Sequence, residues 1–261
     1  MKSRAHYLSS MSRAQITALP DKASAPVLVT TGAIEQHGAH LPLAVDALMG
    51  QVWITRILEA LPGDVSCYVA PPITIGKSNE HVGFPGTLTI SKETLRLQLH
   101  AIARQLSAWG FRQLAVLNTH GGNTSVLVYT LREIEGAYGM RVTLLKHGVT
   151  LNPALPTQEA TYGFHAGELE TSWLLAVAPQ WVRMESAVCE YPARLEDAGE
   201  LRPEAAPATF AWASQDVSAS GVMGDATAGT AEKGGRWIEQ IAAGYAARIV
   251  ELANGGRRRI S

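Results

Sequence analysis

Apolar and polar positions along the chain follow two alternating periods. Residues 25–31 (APVLVTT) form a short β-branched run that stops at Gly32, the pattern of a strand covered on both faces. Residues 45–61 switch to helical spacing, with Leu48, Val52, Ile54, Ile57 and Leu61 on roughly one side, and Pro62-Gly63 ends them. A second strand is expected over 66–70, before Pro71-Pro72. A helix follows from Ser91 to about Trp109, opened by a cap-like Ser91-Lys92-Glu93-Thr94 and closed by Gly110. Strands over 113–118 and 141–146 flank a helix over 126–138, a further helix spans 168–178, and the last runs from about 230 to 253. Strands and helices alternating through short connections predict a mostly parallel sheet with helices on both faces. Residues 180–229 carry Pro, Ala and Ser with weak periodicity and are expected to form irregular covering structure. The whole chain, 1–261, reads as one α/β domain, with 1–20 and 255–261 as peripheral tails.

Composition narrows the partners rather than the fold. The chain is 46% hydrophobic and 17% charged, with a formal net charge of -1, so it offers no electrostatic case for nucleic acid or an anionic membrane. The run Arg257-Arg258-Arg259 is expected to be a solvated tail. No stretch approaches the roughly 20 apolar residues of a membrane span, and residues 1–20 lack the apolar core of a signal peptide. Cys67 and Cys189 lie far apart without CxxC spacing, which predicts free thiols and a cytoplasmic location.

In an open parallel sheet, ligands bind beyond the carboxyl ends of the strands. The loops after the first and third strands, 32–46 and 118–123, therefore matter most. Glu35 and His37 are two apart, so an extended backbone points both to one side. Asp46 opens a helix, whose end favours a carboxylate. Taken alone, these residues could equally be surface polar groups of a loop. His120 leaves the third strand directly, and Gly121 and Gly122 let the backbone pass close to a ligand; a lone histidine there is more often a packing or capping residue. In the third segment, Glu168 falls in a first helical turn and can project back toward the strand ends. Glu170 is two residues on and would face elsewhere, in either a direct or a supporting role. His165 precedes the helix and is free to face the same pocket. Together Glu35, His37, Asp46, His120 and Glu168 make a mixed nitrogen and oxygen donor set without thiolate. Such a set suits zinc first, with manganese or iron as alternatives. Five donors exceed the three of a single catalytic zinc, and one carboxylate bridging two ions about 3.5–4 Å apart would use them all.

GAIEQHGAHLPLAVD at 32–46, GFPGTLTIS at 83–91, NTHGGN at 118–123, HAGELETS at 165–172 and GVMGDATAGTAEKG at 221–234 together resemble the creatininase (creatinine amidohydrolase) family. The likeness covers roughly residues 20–250. It implies a three-layer α/β/α sandwich, two divalent metal ions per chain and assembly into homohexamers. It also implies that Glu35, Asp46 and His120 hold one ion and that His37, Asp46 and Glu168 hold the other, with Asp46 as the bridge. Creatinine-hydrolysing members carry a glutamate where this chain has Gly122, and Glu168 is expected to replace that ligand. They also carry tryptophans at the position of Thr161 and near Lys146-His147-Gly148, which this chain lacks. The resemblance therefore implies a retained metal site and a substrate other than creatinine.

The expected chemistry is hydrolysis of a non-peptide C–N bond in a small cyclic amide or formamide. A water shared by two cations loses a proton near neutral pH. His165 would stabilise the oxyanion or protonate the departing nitrogen, or else be a buried histidine fixing its loop. Substrate contacts are expected from Gly121, Gly122 and His81, the last balanced against a purely structural turn, and His40 is expected to support the ligand pair. His6 and His100 receive no role. The six tryptophans are expected in core or subunit packing. Within the family, a deformylase of a pyrimidine nucleotide precursor, served by Lys77, Lys146 or Lys233, and a peptidase of a small precursor peptide are the alternatives. A non-catalytic subunit of the same fold is the reading from a different class.

Overall fold

The structure, a computed structural model, describes residues 6–192 and 212–255. In chain order its elements are α1 (Arg13–Ala18), β1 (Pro26–Thr31), α2 (Val45–Ala60), β2 (Tyr68–Val69), α3 (Lys92–Ala108), β3 (Gln113–Asn118), α4 (Thr124–Tyr138), β4 (Arg141–Leu144), α5 (Thr157–Tyr162), α6 (Glu168–Val177), β5 (Cys189–Glu190), α7 (Ser214–Val217), β6 (Gly224–Asp225) and α8 (Ala231–Ala253). β2, β1, β3 and β4 form a four-stranded sheet in that order, all parallel. The α/β/α architecture expected from the alternating pattern is the one observed.

Side-chain alternation along each strand sorts the core into two halves. Leu28, Ala115 and Leu117 point to one face, where they meet Met49 and Ile57 of α2, Leu174 of α6, and Ile241 and Ile249 of α8. Val27, Val29, Leu114 and Val116 point to the other, against Leu95 and Leu99 of α3 and Leu127 and Ile134 of α4. Both faces are covered, which is why β1 is buried along its whole length and reads as an unbroken apolar run. Each of these aliphatic side chains contributes about 1.5–3 kcal/mol by leaving water.

Register carries the chemistry. β1 and β3 pair from Pro26 with Gln113 through Thr31 with Asn118, so both strands end at one level. Thr119 N–H donates to the Thr31 carbonyl (3.0 Å), and the Thr31 hydroxyl meets the Asn118 side chain (2.9 Å). The two donor-rich loops therefore start side by side at one edge of the sheet.

Several elements differ from expectation. β2 and β4 are shorter than expected: β2 leaves β1 after Leu28, just before Pro71-Pro72, although β1 runs on to Thr31, and β4 leaves β3 after Val116, two residues before β3 ends. α4 starts at Thr124, after a tight turn over Gly121–Asn123. α5 was not expected, and neither was α1, whose Ser12 and Gln15 form a reciprocal cap. In the covering region, β5 and β6 pair antiparallel and Met223 bridges His165. Part of the region expected as covering, 193–211, lies outside the described residues, as does the basic run at 257–259. Among the described residues, no helix is long and apolar enough to cross a membrane.

Candidate metal centre

Four loops converge at the carboxyl edge of the sheet. After β1 the chain is pinned by Glu35 N–H to the Leu43 carbonyl (2.9 Å) and by Leu88 N–H to the Ile34 carbonyl (2.8 Å). Glu35 and His37 thereby face one point, as their spacing predicts. Asp46 sits in the first turn of α2, where no side chain caps the helix and the helix end favours a carboxylate. His120 follows β3 by two residues. Glu170 comes from the first turn of α6.

Distances within this set match shared coordination. His120 Nδ1 lies 3.2 Å from Glu35 Oε1 and 3.4 Å from Asp46 Oδ2. His37 Nε2 lies 3.7 Å from Asp46 Oδ1 and 3.8 Å from Glu170 Oε2. Donor bonds of about 2 Å put two ligands of one tetrahedral ion roughly 3–4 Å apart. Three groups offer donor atoms all within 4.8 Å of one another: Glu35, Asp46 and His120; His37, Asp46 and Glu170; and Glu35, His37 and His165. Asp46 is common to the first two.

Burial and charge test whether this set fits a cation. Glu35, His37, Asp46 and His120 are all buried. Glu35 Oε2, His37 Nε2 and Asp46 Oδ2 have no hydrogen-bond partner, and orphaned buried carboxylate oxygens are costly unless a positive charge meets them. Burial opposes charge on His37, yet the nearby Asp46 carboxylate and the charges of Glu170 and Glu35 raise its pKa to about 9. Burial likewise opposes charge on His120, and Glu35 and Asp46 still hold its pKa well above the ordinary value. Asp46, disfavoured as an anion by burial, is held low by the imidazoles of His120 and His37 beside it. Burial together with the charges of Asp46 and Glu35 pushes Glu170 up to about 7 against the pull of His37. A pocket that makes imidazoles keep protons is one that divalent cations would fill instead.

Outer contacts aim the donors. His37 Nδ1 meets the Glu35 carbonyl (3.1 Å) and leaves Nε2 for the cluster. His120 Nε2 meets the Lys77 carbonyl (3.0 Å) and Ser78 Oγ (3.2 Å), which leaves Nδ1. Glu80 Oε1 stands 3.4 Å behind the same Nε2. Gly122 makes room for that carboxylate, because a Cβ there would lie 2.1 Å from it.

His165 is buried, with its ring 4.2 Å from both His37 and His81. Its Nε2 meets the Gln36 carbonyl (2.7 Å) and its Nδ1 faces Glu35 Oε1 (3.7 Å). Burial, then the charges of His37 and His81, hold its pKa well below the ordinary value. The ring thus presents an acceptor nitrogen to the cluster, where an oxyanion stabiliser would present N–H.

One expected ligand is elsewhere. Glu168 belongs to none of the three groups: its Oε1 pairs with Lys233 Nζ of α8 at 2.6 Å. On a helix, residues two apart diverge by more than half a turn, so only one of Glu168 and Glu170 can face the cluster. Ala166 decides which. It adopts a left-handed backbone (φ 55°), and its N–H donates to the Glu170 carboxylate at 2.6 Å, folding Glu170 back toward the strand ends.

The remaining expectations divide. His40 supports the loop by joining Thr171 of α6 (2.9 Å). His81 is buried among Gln36 (2.9 Å), Ser214 (2.8 Å) and Glu35 (3.5 Å) and does not line the cavity beside the cluster. Gly121 lines that cavity, whereas Gly122 packs behind His120. Lys233 is committed to Glu168, and neither Lys77 nor Lys146 lines the cavity. His6 and His100 contact Cys67 and the Tyr138–Glu133 pair, away from the site. The cavity, of about 300 Å³, is bounded by Asp46, His120 and Glu170 and also by Trp53 and Trp173. Those two tryptophans were expected only as packing residues.

The chain matches the family described as creatininase, creatinine amidohydrolase, over residues 9–249. It is 35% identical over 225 residues to a mycofactocin precursor peptide peptidase of Mycolicibacterium smegmatis, covering 85% of this chain and 83% of that protein. It is 29% identical over 245 residues to a creatinine amidohydrolase of Pseudomonas putida, covering 86% and 88%. A solved mutant creatininase of zinc–zinc type superposes with a TM-score of 0.74 at 26% identity, over 94% of this chain and 97% of that one.

Proposed function

The chain belongs to the creatininase family of hydrolases acting on C–N bonds, and from that premise we propose that it is an amidohydrolase carrying two divalent ions. Glu35, Asp46 and His120 would hold one ion and His37, Asp46 and Glu170 the other, with Asp46 common to both sets. The observation that carries this reading is the pair of donor groups meeting at Asp46, with orphaned oxygens on Glu35 and Asp46. Zinc is the expected metal, with manganese or iron as alternatives, because the donors are imidazole and carboxylate without thiolate. The zinc–zinc creatininase supports the same choice.

Bound there, the ions would acidify a water and polarise a carbonyl oxygen. The chain's own residues do the rest. Glu35, Asp46 and Glu170 concentrate negative charge where the cations sit. His165, neutral with an acceptor Nδ1, takes a proton from the attacking water and returns it to the leaving nitrogen. The cavity beside Glu170 admits the amide.

The substrate is a small cyclic amide or formamide other than creatinine: the family's glutamate at position 122 is glycine here, and Glu80 occupies the adjoining room. A second reading, cleavage of a small precursor peptide, is favoured by the 35% identity to a mycofactocin precursor peptide peptidase. The homohexamer implied by the family is checked by the native mass in solution. The free thiols of Cys67 and Cys189 support a cytoplasmic location.

The test is metal counting joined to turnover. Elemental analysis should give two ions per chain, chelation should abolish amide hydrolysis, and added zinc or manganese should restore it. Full activity in a chain shown to be metal-free would overturn the proposal.

A further inference from the structure

We propose that the cavity beside the metal cluster is a subsite for a bulky apolar group, best an aromatic ring, carried next to the scissile amide. This inference rests on the amidohydrolase reading for the cavity's purpose and on its own observations for what the cavity holds.

The cavity lies where the carboxyl ends of β3 and β4 meet α2, α6 and α8. One wall is catalytic: Asp46, His120 and Glu170. The opposite wall is aromatic and aliphatic, with Trp53, Trp173 and Tyr245 foremost. Trp53 stands edge-on to Trp173 at 5.3 Å and to Tyr245 at 6.3 Å, and His147 stands edge-on to Tyr245 at 5.7 Å. Such T-shaped contacts fix ring orientations, so the wall is preformed. The loop bearing His147 is held on α8 by Gly244, whose Cβ, if present, would lie 2.4 Å from the His147 carbonyl oxygen.

The size of the space fits part of a substrate. A volume of about 300 Å³ is at the small end of ligand pockets, which run from roughly 300 to 1,000 Å³. It suits one ring or branched side chain and the amide beside it. No lysine or arginine lines the cavity, so a phosphate-bearing occupant is disfavoured.

The probes are N-acetyl-L-phenylalaninamide and N-acetylglycinamide, which differ only in the benzyl side chain. Titration into the metal-loaded enzyme, followed by calorimetry and tryptophan fluorescence, should favour the phenylalanine compound by about tenfold to a hundredfold, as expected for burying one aromatic side chain. Trp173→Phe thins the aromatic wall; it should weaken that compound several-fold and leave the glycine compound unchanged. Leu151→Trp, on the loop that borders the cavity, should abolish the preference in a chain whose far-ultraviolet spectrum and metal content are unaltered. Equal affinity for both compounds, or a preference that survives Leu151→Trp, overturns the subsite. Failure of the catalytic reading is separate: a size preference without hydrolysis of any amide leaves the subsite standing, whereas hydrolysis blind to ring size removes the subsite alone.

Discussion

Two buried carboxylate centres flank the start of α6, and they are built on opposite plans. Glu159, in α5, accepts hydrogen bonds from Glu168 N–H (2.8 Å), Tyr191 O–H (2.9 Å) and Asp225 N–H (2.9 Å). Gly163, Gly167 and Gly224 stand so close that a Cβ on any of them would lie 2.2–2.8 Å from its carboxylate oxygens or carbon. Its charge is surrounded by neutral donors and nothing further is wanted. At the metal cluster the count runs the other way: three carboxylates share histidines among themselves and still leave oxygens orphaned. A saturated carboxylate fixes architecture, and an unsaturated set is kept open for a cation. Because Glu159 binds the first N–H of α6, the saturated centre also holds the helix that delivers Glu170 to the unsaturated one.

The contrast can be broken or sharpened by four changes. The largest effect is expected from Asp46→Asn, which removes the donor common to both groups. Metal content should drop below one ion per chain and amide hydrolysis should fall by about a thousandfold or more. The melting temperature of the metal-free chain should fall, because Asp46 is held as an anion by His120 and His37 and its loss leaves those buried imidazoles less compensated. Retention of two ions by this variant would contradict a shared ligand.

Next is the strut that His40 makes between the donor loop and Thr171 of α6. Burial, then the charge of His37, lowers His40 to about 4. Unfolded, it takes up a proton near 6.5; folded, near 4. The unfolded state therefore holds more protons between those values, and stability present above pH 6.5 is lost as pH falls toward 4. The span amounts to on the order of 3 kcal/mol. Denaturant titrations of the native chain and His40→Asn across pH 4–7 should converge at the acid end; parallel curves would rule the strut out.

Glu159→Gln comes third. Replacing a saturated acceptor with a half-donor should cost about 2 kcal/mol, equally in metal-free and metal-loaded chains. A cost confined to the loaded chain would place Glu159 in the metal machinery instead. The smallest effect is expected from Glu80→Gln. Loosening the carboxylate behind His120 should weaken metal binding about tenfold, measured by competition with a chromophoric chelator, with an unchanged melting temperature.

Much of this was legible in the chain itself. β1 and β3 announce themselves as apolar runs, and Gly and Pro mark where helices stop. Glu35, His37, Asp46 and His120 follow from strand ends and an i, i+2 spacing. The choice between Glu168 and Glu170 was not legible, because both occupy one helical turn and the left-handed backbone of Ala166 decides which looks inward. α5 was missed because six residues behind Pro156 carry too little periodicity to register. β5 and β6, two residues each, are too short for alternation to show. Trp53, Trp173 and Tyr245 sit at ordinary core spacings on three separate helices. Only the packing of those helices reveals that they enclose a cavity.

Gly244 carries a last consequence. It touches no metal donor, yet it sets how near the His147 loop comes to α8, and so it gauges the width of the recess opposite Glu170. A methyl group added there would push the loop outward and enlarge the recess while every donor stayed in place. Substrate range and reaction chemistry are thus governed by different stretches of chain, and a lineage could retune one by a single substitution without disturbing the other.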